Sequence, residues 1–418
     1  MNPSQMNKRV VIVGAGLAGL VCARLLIEAG ATVEILERDE TVGGRVQTDE
    51  VDGFLLDRGF QILLTGYPEL RRHLDLDALD LRPFEPGASL WTGTGFETIG
   101  DPLRKLDALV PTLRASSGSL FDKLRILKLR ALTLRGGSYD AFEAPDQTTM
   151  SLLREQGFSE GFLHRFFRPF LGGIFLEPEL ATTARFFRFV FRMFAKGDAA
   201  VPARGMGEIS RQLAAPIPAE AVKTAHAVRA VDATGVHLDD GHRIEADRVV
   251  VACEGPSAHR LVPEVEAPAS CGVTCFYFAA DRAPTSRPIL HLDGVGEGPV
   301  NNMHVATAVS ADLAPAGQTL VSATCLGVHD DLEGREKAAR AQLERWFGPE
   351  VARWRSLRTY AIPHALPAQP VGSLRPSQRP IRTESGLFVC GDHRDQASID
   401  GAMVSGRRAA EAVLASWG

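Results

Sequence analysis

Apolar and polar positions change period twice near the start of the chain. Val10 to Val13 is an unbroken apolar run, short enough for a strand buried in a parallel sheet. Leu20, Leu25 and Leu26, with alanines between, then recur at helical spacing as far as Gly30, a C-terminal stop. A second run, Thr32 to Leu36, predicts another strand and ends on Glu37. From Pro83 this pattern stops, and Asp101 to Arg135 is mostly helical, with leucines at 103, 106, 109, 113, 120, 124 and 127. Thr148 to Gly157 predicts a helix capped by Thr148 or Thr149.

Phe162 to Lys196 is dense in phenylalanine, and its Arg185, Arg188, Arg192 and Lys196 form one helical stripe. Two readings stand. The apolar face walls a cavity or core while the stripe meets water, or the helix lies on an anionic membrane. Ala221 to Val231 alternates like a strand, and Gly235 to Leu238 pairs with His242 to Ala246 across Asp239-Asp240-Gly241. Arg248 to Ala252 is a further buried strand. Cys271 to Ala280 and Leu320 to Leu326 read as β, Asp331 to Phe347 as a helix, and the proline-rich Ala361 to Gly372 as a loop. The chain closes with a strand, Leu387 to Cys390, then Gly391-Asp392 and a small-residue helix starting near Ile399.

The junction of the first strand and helix carries Gly14, Gly16 and Gly19 in G-x-G-x-x-G spacing. The first makes the tight turn, the second admits a pyrophosphate, and the third packs helix on strand. Glu37 stands about twenty residues on, where an acid bonds a ribose hydroxyl. Gly43-Gly44-Arg45 follows at once: backbone crowds the diphosphate again and Arg45 neutralises it. This order resembles the flavin-containing amine oxidases, phytoene desaturases and protoporphyrinogen oxidases, and Gly391-Asp392 with the closing helix extends the resemblance to the C-terminus.

The resemblance implies an α/β fold in which a Rossmann-type FAD-binding domain (1–88, 197–268, 376–418) is interrupted by an α+β substrate domain (89–196, 269–375). It implies non-covalent FAD held by Gly14, Gly16, Leu17, Ala18, Glu37, Arg38, Gly44, Arg45, Gly59, Phe60, Gln61, Val228, Gly391, Asp392 and Ile399. Gly59 to Gln61 would line the flavin ring, Val228 would touch the adenine side and Asp392 a ribityl hydroxyl. The helix start at Ile399 would stabilise the anionic reduced ring.

The expected activity is desaturase-like dehydrogenation of a hydrophobic small molecule, with oxygen, a quinone or another acceptor taking the electrons. An amine oxidase acting on C–N bonds is the alternative, but the chain departs from that pattern. The single lysine after Lys223 is Lys337, and Tyr360 is the one evident aromatic for framing the ring. A non-enzymatic binder of lipid-modified partners is a third reading, opposed by the intact phosphate glycines. Gln61, His304, His364, His393 and Arg394 are substrate-side candidates, none of them assigned a catalytic role.

No second G-x-G-x-x-G opens a helix, so nicotinamides are not expected to reduce the flavin. Residues 366–375, before the last strand, lack a cysteine for covalent attachment. A net charge of −5 gives no electrostatic case for nucleic acid. Six scattered cysteines, none in C-x-x-C, predict no metal site and fit a reducing cytoplasm, with peripheral membrane contact open.

Overall fold

A computed structural model of the chain describes residues 8–100, 104, 112, 115–266 and 268–417. Two sheets organise it. Their strands are β1 (Arg9–Val13), β2 (Thr32–Leu36), β3 (Gly87–Trp91), β4 (Phe96–Gly100), β5 (Val222–Lys223), β6 (Arg248–Val251), β7 (Ser270–Ala280), β8 (Leu290–Asp293), β9 (Val300–Val305), β10 (Thr319–Leu326), β11 (Arg355–Pro367) and β12 (Phe388–Val389). The helices that matter for the site are α1 (Leu17–Glu28), α2 (Leu120–Thr133), α3 (Ala184–Lys196), α4 (Leu332–Phe347) and α5 (Ile399–Ala415).

The first sheet has the order β5-β2-β1-β6-β12, every neighbouring pair parallel. Its central valines are buried from both sides, which is why their runs are continuously apolar. Val10 and Ile12 belong to the core containing α1 and α5, while Val11, Val13, Val249 and Val251 pack under the meander Val228–Asp232, Gly235–Leu238, Arg243–Glu245. A Cβ on Gly406 would collide with the Ala18 backbone, so α5 and α1 touch main chain to main chain.

The second sheet has the order β11-β7-β10-β9-β8-β3-β4, antiparallel except where β8 runs parallel to β3. Side chains alternate across it. One face, with Phe276, Phe278, Val321 and Ala323, is sealed by Leu343 and Trp346 of α4. The other presents Cys275, Tyr277 and Leu320 toward Phe54 and Leu56. The expected Thr148 cap is in place, its side chain accepting from Ser151 N.

Three expectations need correction, and one lies partly out of reach. The proline-rich stretch from Ala361 is strand as far as Pro367. β11 is an edge strand, and its register breaks between the Val273–Ile362 and Cys271–Leu366 pairs, which takes Pro363 and His364 out of the ladder. Proline, lacking an N–H, is tolerated there. Ala221 to Val231 is two strands rather than one: β5 joins the parallel sheet, and after Ala225 at φ 56° the chain leaves to begin the meander. Alternation carries no mark of that change of sheet.

The basic stripe of α3 does not face water or lipid as a whole: Lys196 is exposed and Arg188 half-buried, but the other two cations are inside. Arg185 and Arg192 are 2% and 4% exposed. Arg185 Nη1 donates to Leu374 O at 3.1 Å, and Arg192 donates to the carbonyls of Thr133 and Arg135 at the end of α2. The carbonyls at the end of one helix thus take up a cation of another. The predicted helical region from Asp101 to Arg135 is helix α2 over Leu120–Thr133, while residues 101–103, 105–111 and 113–114 lie outside those described. Among the described residues, no helix is long and apolar enough to cross a membrane.

Candidate active site

The parallel strands β1 and β12 deliver α1 and α5 from the same, carboxyl-terminal edge of the first sheet, where open α/β sheets take ligands. At β1 the chain turns at Gly14, φ 106°, where a Cβ would sit 2.9 Å from Ala252 O. Gly16 caps α1, and a Cβ there would meet nothing within 4 Å, so its outer side is open. The second glycine segment lies directly against the first. Gly43 N donates to Ala15 O at 2.8 Å, and a Cβ on Gly44 (φ 59°) would be 3.4 Å from Gly16 Cα.

Glu37 is buried at the end of β2. Its Oε2 accepts from Ala15 N at 2.7 Å and its Oε1 from Asp39 N at 3.0 Å. Each oxygen keeps lone-pair capacity beyond these bonds. Val228 begins the meander strand two residues after His226, whose N–H donates to Glu37 O at 2.8 Å, so both belong to one corner. Arg38 stands at that rim, largely exposed beside Asp39.

The C-terminal half meets this corner through a long-range ion pair. Arg45 Nη2 is 2.8 Å from Asp392 Oδ2, and Arg45 Nη1 donates to Ala365 O at 2.9 Å. The other carboxylate oxygen, Asp392 Oδ1, is buried without a hydrogen-bond partner among the described residues. Gly391 adopts φ 144°, and a Cβ on it would strike the His393 ring at 2.7 Å. Ser398 caps α5, its Oγ accepting from Gly401 N at 3.1 Å, which leaves the first turn at Ile399 pointing its N–H groups into the same region.

Gly59 (φ 84°) to Gln61 connects this corner to the second sheet. Gln61 Nε2 donates to Arg45 O at 2.7 Å and to Arg58 O at 3.1 Å, tying the loop to the diglycine segment. Phe60 stacks obliquely on His304 of β9, ring centres 4.8 Å apart, with Phe84 5.5 Å from the same imidazole. A cavity of about 20 Å³ opens here, lined by Asp57, Phe60, Gln61, Tyr277, His304 and Leu320 among others. Burial holds the His304 imidazole down to about 3, so it is neutral at ordinary pH. Burial pushes the Asp57 carboxyl up to about 6, against bonds from Thr48 Oγ1 and Met206 N.

The candidates named from sequence separate on this frame. Gln61 and His304 face one cavity. His393 and Arg394 are buried in the short helix after Gly391, and burial lowers His393 to about 4. His364 is exposed at the break in β11. Lys337 is exposed on α4, across the second sheet from the cavity. Tyr360 packs edge-on against Tyr277, its hydroxyl donating to Asp49 at 2.7 Å. Asp57 and Tyr277 escaped the sequence reading. The acid-x-glycine of Asp57 and Gly59 marked the loop but not a side chain aimed into a cavity, and Tyr277 sits in an apolar strand with no local sign of function.

Residues 17–414 match the family described as flavin containing amine oxidoreductase. The chain belongs to that family. The "Probable zeta-carotene desaturase" of Synechococcus elongatus is 30% identical over 294 residues, 61% of this chain, and the match spans 60% of that relative's length. The 15-cis-phytoene desaturase of the same organism is 26% identical over 481 residues, covering 97% of this chain and 96% of the relative. Among solved structures, putrescine oxidase bound to putrescine is 18% identical with a TM-score of 0.72, covering 98% of this chain and 99% of that one. The fold is that of these structures, and the family is one of flavin-containing oxidoreductases.

Proposed function

We propose that the chain is an FAD-dependent dehydrogenase that oxidises a C–C bond of a hydrophobic small molecule. In this reading 1–88, 197–268 and 376–418 bind FAD, while 89–196 and 269–375 form the substrate side. Gly14, Gly16, Leu17 and Ala18 offer backbone to the diphosphate, with Gly44 opposite and Arg45 as counter-charge. Glu37, already oriented by two N–H donors, takes the ribose diol; Arg38 and Val228 border the adenine end. Gly391 lets the chain pass, Asp392 offers its free Oδ1 to a ribityl hydroxyl, and the α5 N-terminus at Ile399 faces the pyrimidine edge. Gly59, Phe60 and Gln61 line the ring.

Three features support the fit of a flavin dinucleotide: the open side of Gly16, the close approach of two glycine segments, and the unpartnered buried carboxylate oxygen. When bound, the flavin supplies the acceptor for the hydrogen removed from substrate. The chain's own part is to orient the substrate and exclude water. The single observation that carries the substrate class is the wall facing Phe60: Val201, Tyr277, Ala306, Val309, Leu313 and Leu320 surround a neutral His304. A second reading, oxidation of a C–N bond, is favoured by Asp57, whose carboxyl opens on the same cavity.

Acid precipitation is expected to release a yellow chromophore into the supernatant, as non-covalent FAD requires; colour kept in the pellet contradicts that. Anaerobically, an apolar donor should bleach the flavin while primary amines and nicotinamides leave it oxidised. Bleaching by a primary amine at a catalytic rate overturns the first reading for the second. Reoxidation with oxygen and with a soluble quinone then identifies the acceptor.

A further inference from the structure

We propose that the outward face of α2 is a docking surface for an anionic lipid bilayer. Among the described residues nine large apolar side chains are exposed, and five of them, Leu120, Phe121, Leu124, Leu132 and Leu134, fall on or just beyond this helix. Phe121 is 69% exposed, Leu120 59% and Leu124 53%. Scattered exposed hydrophobes are ordinary, but a concentration on one element marks an interaction site. Leu120, Leu124, Leu127 and Ala131 follow at i, i+4, i+7 and i+11, one stripe, with Phe121 and Leu132 beside it. The inward side is Asp122, Leu129 and Thr133, all buried. The leucine stripe therefore points away from the protein, the reverse of an ordinary surface helix.

Charge selects the partner. Lys128 is exposed beside the stripe, and Lys123, Arg125 and Arg130 add to the positive charge of the helix, Lys123 donating to Ala115 O and Arg125 lying 3.6 Å from Asp122 Oδ1. The helix has one acid, Asp122, which is turned inward and holds Ser119 and Ser159. This cationic helix belongs to a chain of net charge −5. An apolar stripe on a cationic helix matches a helix lying at the headgroup boundary, leucines in the acyl region and the exposed Lys128 at the phosphates. The core of a protein interface, by contrast, is depleted in lysine. The helix is also pre-formed. Ser119 and Asp122 make a reciprocal capping box, and Asp122 Oδ1 accepts from Ser159 N at 2.9 Å, so docking requires no folding.

Helix α2 packs over α3, whose phenylalanines belong to the apolar interior. Docking would bring that interior next to hydrocarbon, a route for a hydrophobic substrate. That last step rests on the proposed substrate class; the docking surface does not.

The test uses the flavin-loaded full chain in flotation assays, with phosphatidylcholine vesicles containing or lacking phosphatidylglycerol. Wild type is expected to float with the anionic vesicles at low salt and to release at high salt. Phe121→Ser with Leu124→Ser should weaken binding at least about tenfold. Lys128→Gln should weaken it about fivefold and flatten the salt dependence. Flavin content and melting temperature should hold in all variants, because these side chains face outward. Wild type that ignores anionic vesicles at low salt overturns the proposal, as do variants that bind like wild type. A concentration-dependent dimer that the serine variant dissolves also overturns it, making a second copy the occupant. None of these outcomes depends on which substrate bleaches the flavin.

Discussion

Helices α2 and α3 are written in nearly the same alphabet, large apolar residues interleaved with arginine and lysine, and they end in opposite environments. In α3 both faces are inside: Phe187 and Val190 are buried on one, Arg185, Phe189 and Arg192 on the other. In α2 the leucines of one face meet solvent. The two helices touch, and Arg192 ties them together by donating to the last carbonyls of α2. An amphipathic pattern thus states that a helix has two faces. It does not state which face is covered, because the cover comes from chain distant in sequence.

The largest expected effect is at the centre of the buried helix. Phe189 stacks with Tyr67, Tyr139 and Phe142, ring centres 5.9, 5.9 and 5.2 Å away. Phe189→Ala should cost about 3–5 kcal/mol in chemical denaturation. A loss comparable to an exposed site would mean that α3 is not core. Next, Arg192→Leu should cost about 3 kcal/mol, since two carbonyls ending α2 lose a charged donor. Near-neutral behaviour would show the guanidinium reaching water instead, and would restore the lipid-facing stripe.

A pH effect links both helices to the proposed cofactor end. Tyr139, stacked on Phe189, donates its hydroxyl to Asp400 Oδ2 at 3.0 Å in the first turn of α5. Burial raises the Asp400 carboxyl from 3.8 to about 6. For an acid whose folded value is raised, the stabilising contribution is complete below its unfolded value and lost as pH rises through the folded one. Stability should therefore fall by roughly 2 kcal/mol from this group between about pH 4 and 6. Asp400→Asn should remove that slope from a pH series of unfolding curves; an unchanged slope would place the titration elsewhere. The smallest effect belongs to the exposed face. Leu124→Ser should change stability by no more than about 0.5 kcal/mol, and a larger loss would mean the stripe of α2 is covered.

The same contrast separates the two halves of the site. The proposed dinucleotide corner was legible from Gly14, Gly43 and Gly44, where close backbone approach and positive φ favour glycine, and from the spacing of Gly16 and Glu37. The proline-rich β11 was illegible, because an edge position and a register break make Pro363 acceptable, and neither is a local property. Asp57 and Tyr277 were hidden for a related reason. Their strands are apolar like any other, and only the meeting of the second sheet with the Gly59–Gln61 loop turns those side chains into cavity lining.

Sequence alone determined the parallel strands, the glycine turns, the acid at the end of β2 and the helix starts, each governed by steric and hydrogen-bonding demands within a few residues. Tertiary structure decided the pairing of Arg45 with Asp392, the burial of the α3 arginines, the cavity between Phe60 and His304, and the outward turn of the α2 leucines. Those depend on which segments, hundreds of residues apart in some cases, are laid against one another. Burial is a property of that assembly, whereas propensity is a property of the segment.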